Sequence, residues 1–328
     1  MIIKERAYPQ YITALEALLR RIPQNHPKRR EIELDYAKRL AGYRGEQALD
    51  YPLGFLQEKE FSIFHDLRLP DRKRHFQLDT LILSQRFALI LEVKNIAGTL
   101  IFDEDFRQLI RISNEKEEAF ADPILQAELQ KVQLLSWFSQ QKLTVLPVET
   151  LVVISHPKTV IKNSLIKLSP ESSKKVTQNK DIPFRIAAFQ RRYTKEIPQK
   201  EMNRISRQLL KAHSPFTPDI LSLYEISPNE ILKGVHCPNC NHLPMTRFYG
   251  KWFCTSCSHS SKTAYLPALN DYVALFGSTI TNRELRNFLN IASPSIAAKI
   301  LHSMNLPSSG GYRNRSYHLT SENEIKQK

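Results

Sequence analysis

The chain has no apolar run long enough to cross a membrane. The stretch Thr80–Leu91 is broken by Ser84, Gln85 and Arg86, and nothing reaches the ~18 residues that a span needs. The first residues, Met1-Ile2-Ile3-Lys4-Glu5-Arg6, lack the apolar core of a secretory signal. Cysteine is scarce: four residues in a chain of 328, all between positions 237 and 257. That is not a secreted disulfide framework. No internal repeat is found. With these classes set aside, the expectation is a cytoplasmic protein with no membrane partner.

What remains is a basic chain of ordinary globular composition, 41% hydrophobic and 24% charged, which excludes disorder throughout and a fibrous fold. At ~100–200 residues per domain it holds two or three domains. Lys and Arg number 47 against 33 Asp and Glu, a net charge of +14. The surplus is uneven. Residues 1–157 carry 22 basic and 22 acidic side chains, whereas 158–213 carry 14 and 4 and 233–328 carry 11 and 4. Clustered Lys and Arg fit a polyanion partner because they neutralise phosphates; a merely solvated basic surface is the alternative.

Residues 29–50 have apolar positions near a 3.6-residue period and read as a helix, interrupted by Gly45 and ended by Pro52 and Gly54. Strand-like runs follow at Phe61–His65, His75–Leu83, Phe87–Val93 and Thr99–Phe102. Pro123 opens a helix over Ile124–Gln141. Leu143–Val148 and Thr150–Ser155 read as buried strands, and Phe184–Phe189 as one more. Residues 158–182 read as a loop or elaborated hairpin, and Gln199–His213 as a basic amphipathic helix. The order is that of an α/β core.

If Gln85-Arg86 is a two-residue turn, Ser84 pairs with Phe87 and Asp79 falls directly opposite Glu92. Directly paired residues share a face with Cβ atoms ~4.5–5.5 Å apart. Lys94, two residues beyond Glu92, lies on that face as well. Two carboxylates this close need compensation. Lys94 supplies some; a hard cation such as Mg²⁺ or Mn²⁺ on oxygen ligands supplies the rest and can activate water for attack on phosphorus. A salt-bridged surface face is the plainer alternative.

Arg44-Gly45-Glu46, Gln77-Leu78-Asp79, Leu91-Glu92-Val93-Lys94-Asn95 with Gly98, and Asp122-Pro123-Ile124-Leu125-Gln126 occur in that order. Together they resemble the nuclease-related domain, a branch of the PD-(D/E)xK nucleases, over roughly residues 40–155. The resemblance implies a mixed sheet flanked by helices and metal-dependent hydrolysis of phosphodiesters. It further implies that Asp79 and Glu92 bind the metal, Lys94 is the motif lysine, and Glu46 and Gln126 are the helix-borne partners. Two departures concern packing: Phe102 and Phe106 stand in a stretch where the family often has tryptophan, and Leu78 precedes Asp79. From the residues alone, the plainer alternatives are that Gln126 caps or solvates its helix and that Glu46 is an ordinary surface acid.

Cys237, Cys240, Cys254 and Cys257 form C-x₂-C-x₁₃-C-x₂-C, the spacing of two knuckles around a tetrahedral Zn²⁺, with a hairpin between them. The nearby His236, His242 and His259 are not needed as ligands. Arg247, Tyr249, Lys251 and Trp252 combine cations with aromatic faces, suited to phosphate contact and base stacking or to hairpin packing. Beyond them, Thr281–Asn290 and Pro294–Met304 read as two helices across a short turn, the second with Ile296, Ala297, Ile300, Leu301 and Met304 inward. A basic hairpin follows with Arg313 and Arg315. This resembles a winged helix–turn–helix, with Ser295, Lys299, His302 and Ser303 facing a groove; a protein-docking helix pair is the alternative.

The expected organisation is a nuclease-related α/β domain at 1–157, a basic extension at 158–213, a linker at 214–232, a zinc ribbon at 233–267 and a winged-helix-like domain at 270–320. The expected function is metal-dependent cleavage of DNA, in processing or repair, with RNA as another possible substrate. A non-cleaving, regulatory nucleic-acid-binding protein is the alternative.

Overall fold

A short strand and three helices precede a run of six strands. In the computed structural model, which describes residues 1–163, 173–311 and 314–319, strand β1 (Ile2–Lys4) precedes helices α1 (Gln10–Arg21), α2 (Arg29–Gln47) and the short α3 (Asp50–Leu53). Next come β2 (Ser62–Asp71), β3 (Arg74–Leu83), β4 (Ala88–Lys94), β5 (Thr99–Asp103), β6 (Gln108–Ser113) and β7 (Lys116–Ala121). Helix α4 (Pro123–Gln140) leads to β8 (Val148–Ile154), β9 (Val160–Asn163), β10 (Val176–Gln178), α5 (Ile182–Arg192) and α6 (Gln199–Ala212).

A six-stranded mixed sheet runs in the order β1-β2-β3-β4-β8-β10. Its middle strands β2, β3 and β4 are antiparallel, while β1, β8 and β10 join as parallel neighbours. Residues 88–92 of β4 are buried on both faces, as expected of a strand covered on two sides. Period-two alternation divides its side chains between two cores. Ala88 and Ile90 pack with Trp137 and Phe138 of α4 and Ile205 and Leu209 of α6; Leu89 and Leu91 pack with Leu49, Leu53, Ile182 and Ile186. The expected α/β class, a mixed sheet flanked by helices, is what the chain adopts. A second sheet, β7-β6-β5-β9, lies beside α4, where Leu100, Phe102 and Leu109 meet Ile124 and Ala127.

Three local expectations need correction. Phe184–Phe189 is part of helix α5, not a strand: Pro183 sits in its first turn, and Ile182, Ile186 and Phe189 recur at helical spacing against the sheet. Leu143–Pro147 is irregular, and the strand begins at Val148. The 158–182 segment contributes β9 and β10 to the two sheets, while residues 164–172 lie outside the described ones.

The described chain forms two compact units. One holds Met1–Ala7 and Lys38–Phe216; the other holds Tyr8–Ala37 and the described residues from Thr217 onward. The expected domain at 1–157 is thus divided between the two units. The second unit instead draws Leu15, Leu18 and Ile32 into a core with Trp252, Leu269 and Leu285. Arg21, fully buried, pairs with Asp271 at 2.8 Å and donates to the Gly234 carbonyl at 2.7 Å. The expected linker is packed as well: Ile220, Leu221, Tyr224 and Ile226 belong to this core, and α7 (Ile220–Leu223) lies within it.

The rest of the second unit comprises a small sheet of β11 (Thr246–Phe248), β12 (Lys251–Phe253) and β13 (Ser260–Ser261), followed by α8 (Tyr265–Phe276). Then come β14 (Thr279–Thr281), α9 (Asn282–Leu289), α10 (Pro294–Ser303), β15 (Ser308–Ser309) and β16 (Ser316–His318). Thr281 and Glu284 close a reciprocal cap on α9, as the Thr-x-x-Glu spacing predicts. On α10, Ala297, Ile300 and Leu301 are buried, but Ile296 is exposed rather than inward. Among the described residues no helix is long and apolar enough to cross a membrane.

Candidate active site

The β3–β4 hairpin has the register its two-residue turn dictates. Ser84 N–H donates to the Phe87 carbonyl at 2.9 Å, and the ladder runs from Leu83 opposite Ala88 to Thr80 opposite Leu91. The ladder ends there, one step short of Asp79 and Glu92. There Asp79 Oδ2 accepts the Val93 N–H at 2.8 Å, so the carboxylate replaces the next backbone acceptor. The parallel ladder with β8 continues to Lys94 opposite Ile154. The end of β4 is therefore fixed on one side and open to side chains on the other.

Glu92 is almost fully buried, and both its oxygens are engaged. Oε1 accepts from Lys94 Nζ at 2.6 Å, and Oε2 from Gln130 Nε2 at 2.7 Å. Lys94 Nζ also donates to Gln126 Oε1 at 3.1 Å. Helix α4 presents both glutamines because they are four apart, on one face. Its start is fixed by Asp122, which caps the Ile124 N–H at 2.8 Å, and by Pro123 in the first turn. Gln130 Oε1 is buried without a hydrogen-bond partner, next to Glu92.

Glu46 comes from α2. Gly45 makes its approach possible: an added Cβ would lie 2.8 Å from Ser155 Oγ and closer still to Asn95 Cβ. Asn95, the last residue of the Leu91–Asn95 motif, donates to the Ala41 carbonyl at 2.7 Å and ties helix to strand end. Arg6 then holds Glu46 at 2.7 Å and reaches Asp50 at 3.4 Å. The Arg6 guanidinium also lies 2.8 Å from His65 Nδ1. Arginine can only donate, so that nitrogen accepts, and Thr80 Oγ1 at 3.1 Å donates to it as well. Burial, then the charges of Arg6 and Lys4, push His65 down to about 3, so the ring is neutral at pH 7.

The carboxylates feel their crowding. Burial raises the Asp79 carboxyl well above its usual range, and the charges of Glu92 and Glu46 add to this, while the Val93 N–H and Lys94 oppose it. Burial likewise pushes Glu46 up to about 7; Arg6 pulls it back, and Asp66 and Glu92 push it further. Glu46, Asp79, Glu92, Lys94 and Gln126, dispersed over 81 positions of sequence, are thus brought to one end of β4.

Residues 41–155 match the family model described as the nuclease-related domain. The chain carries a nuclease-related domain. Comparison with curated proteins and with solved structures finds no match. The matched region starts on α2 just before Gly45 and ends at Ser155, and so contains all five of these side chains.

Sequence reasoning missed Gln130 and Arg6. Gln130 was findable, being four residues after Gln126 on the same helix. Arg6 carried no local signal, since its partner lies forty residues away. Of the two aromatic departures from the family pattern, Phe102 is buried in the core and Phe106 is exposed at the β5–β6 turn.

Fit to a divalent cation can be judged from the donors. Mg²⁺ takes one or two carboxylates and fills its remaining positions with water and phosphate. Asp79 and Glu92 offer hard oxygens whose mutual repulsion a cation would relieve, so the residues fit. Among the described residues, however, the carboxylates do not form a close cluster of three or more; Arg6 draws Glu46 aside.

The described residues do form one such cluster, Cys237, Cys240, Cys254 and Cys257, with ligand atoms within 4.8 Å of one another. Sγ separations of 3.6 Å for Cys237–Cys257 and 3.5 Å for Cys240–Cys254 approach the ~3.8 Å edge of a tetrahedron with Zn–S bonds of ~2.3 Å. The two knuckles repeat each other. Asn241 N–H bonds to the Cys237 carbonyl at 2.9 Å and Ser258 N–H to the Cys254 carbonyl at 3.0 Å, and both residues are left-handed. The cluster fits a zinc ribbon. A complete four-thiolate shell leaves no open position, so such a site serves the fold.

The expected nucleic-acid contacts divide. Lys251, Lys299 and Arg315 are exposed, and Arg313 lies outside the described residues. Arg247 is half-buried, its guanidinium 5.3 Å from the centre of the Trp252 ring, and Trp252 itself is buried. Trp252 is therefore a core residue and has no free face for a base.

Proposed function

We propose that the nuclease-related domain is a metal-dependent deoxyribonuclease. The observation that supports this best is the meeting of the buried Glu92 and the half-buried Asp79 with Lys94, Gln126 and Glu46 at one strand end, inside the matched region. Asp79 and Glu92 would hold Mg²⁺ or Mn²⁺, which when bound lowers the pKa of water and neutralises charge on a phosphate oxygen. Lys94, held by Glu92 and Gln126, would meet the negative charge of the reacting phosphate. Gln130 keeps Glu92 in its rotamer, and Glu46 and Gln126 orient the attacking water. Cys237, Cys240, Cys254 and Cys257 bind one structural Zn²⁺.

The basic second unit would grip the substrate. The order α8-β14-α9-α10-β15-β16 supports a winged-helix reading of 270–320, with Lys299 on the second helix and Arg315 on the wing meeting DNA. The experiment is a cleavage panel of supercoiled, linear, single-stranded and branched DNA, and of RNA, with Mg²⁺ or Mn²⁺, run beside Asp79→Asn. Cutting that Asp79→Asn abolishes supports the reading; intact DNA throughout refutes it.

One observation favours a second reading, a non-cleaving nucleic-acid-binding protein: Glu92 already has Lys94 and Gln130 on its two oxygens. A calorimetric titration with Mn²⁺ separates them. Binding that depends on Asp79 and Glu92 favours the nuclease, and no binding favours the rival.

A further inference from the structure

The ribbon hairpin has two unlike faces. Strands β11 and β12 pair Arg247 with Trp252 and, on the opposite face, Phe248 with Lys251 and Thr246 with Phe253. The Arg247–Trp252 face is packed inward. The other carries Phe248, 65% exposed, Phe253, 40% exposed, and Lys251. At the tip, Tyr249 is 90% exposed and meets the Phe248 ring edge to face, with centroids 4.3 Å apart. Tyr249 and Gly250 both have positive φ, 44° and 79°, the conformation of a tight two-residue hairpin turn. Three aromatic rings are thus held in solvent on a short, braced hairpin.

The charge of the ribbon sequence has one sign. Residues 233–267 contain Lys233, Arg247, Lys251 and Lys262 and no Asp or Glu. We infer that this face is a stacking platform for the unpaired bases of single-stranded DNA, with Phe248, Tyr249 and Phe253 taking bases and Lys251 the phosphate between them. A polyanion fits a ribbon that has no acid in its sequence and presents Lys251 among these rings. Bases within a duplex spend their faces on each other, whereas an unpaired base offers its face to an exposed ring, with little regard to sequence. The platform selects strandedness, which goes beyond the proposed cutting chemistry.

The test uses the full chain without added Mg²⁺ or Mn²⁺, and fluorescence anisotropy with three labelled 20-residue probes: an oligothymidine strand, an abasic strand of equal charge, and a duplex. The wild type is expected to bind the thymidine strand about five- to a hundred-fold more tightly than the abasic one for each base stacked. The Phe248→Ala/Tyr249→Ala variant should lose that preference while keeping its duplex affinity within about twofold and its zinc content, and Phe248→Tyr should retain the preference. Equal wild-type affinity for the thymidine and abasic strands overturns the inference, and that comparison needs no variant. So does a double variant that loses strand and duplex affinity alike. No cleavage step enters the measurement, so its failure leaves the nuclease reading untouched.

Discussion

Two glycines three residues apart on α2 make opposite predictions. A Cβ at Gly42 meets nothing within 4 Å. Gly42→Ala should therefore gain the helix propensity glycine lacks, about 0.5–1 kcal/mol. A Cβ at Gly45 would collide with Asn95 and with Ser155 Oγ at 2.8 Å. Since carbon contacts become favourable only near ~3.5 Å, α2 and the end of β4 must part by about 1 Å. Overpacking of this kind costs about 1–3 kcal/mol, and stretching the Asn95–Ala41 bond adds about 1 kcal/mol. Against the propensity gain, Gly45→Ala should lose about 1–3 kcal/mol net. The assay is urea unfolding followed by Trp137 fluorescence in a Trp252→Phe background. Glu46 shifts with its neighbour, so cleavage should fall about a hundred-fold, while Gly42→Ala cuts normally. Equal stabilisation by both alanines would refute the argument that Gly45 sets the distance between helix and strand.

Asp79→Asn should abolish metal-dependent cutting, a loss of at least about a hundred-fold. Because the folded Asp79 carboxyl titrates well above its unfolded value, its ionised form opposes folding; the variant should raise the metal-free urea midpoint at pH 8 and leave it unchanged at pH 3. Glu46, near 7 when folded against an ordinary 4.5, keeps in the native state a proton that the unfolded chain has lost. Its contribution to stability therefore falls as pH rises from 4.5 to about 7. Arg6→Gln leaves that carboxylate without its partner and should cost about 3–5 kcal/mol at pH 8 but far less at pH 5, measured by urea melts. Elemental analysis should find one zinc per chain. Cys240→Ser, or a strong chelator, should remove it and red-shift the emission of Trp252, now exposed to water.

The hairpin was legible because its geometry is local. A two-residue turn between Ser84 and Phe87 fixes the pairs below it as far as Thr80 opposite Leu91, one step short of Asp79 and Glu92. The N-terminus of α4 was legible for the same reason, with Asp122 capping and Pro123 entering the first turn. What could not be read depends on packing between distant segments. Arg6 reaches Glu46 only because β1 joins the sheet beside β2, and Leu15 and Leu18 leave the nuclease core for one formed with residues beyond 217. Helix α5 deceived for another reason: its aromatic and β-branched residues favour strand locally, and the amphipathic fit to the sheet prevailed. Trp252 could be read as a stacking face or as hairpin packing, because aromatic character does not tell which side of a hairpin turns inward; its burial makes it packing.

The uneven bordering of β4 has a consequence for any such experiment. Past Leu91 the strand is a half-edge, zipped to β8 but unzipped from β3, and the Val93 N–H would stand there as an open invitation to a foreign acceptor or strand. Asp79 plugs it with one oxygen and leaves the other for chemistry. Truncation to alanine pulls the plug and deletes the ligand together, so lost cutting would be ambiguous. Asparagine keeps an acceptor for the backbone and discards only the charge, which makes Asp79→Asn the substitution that isolates what the carboxylate does for the reaction.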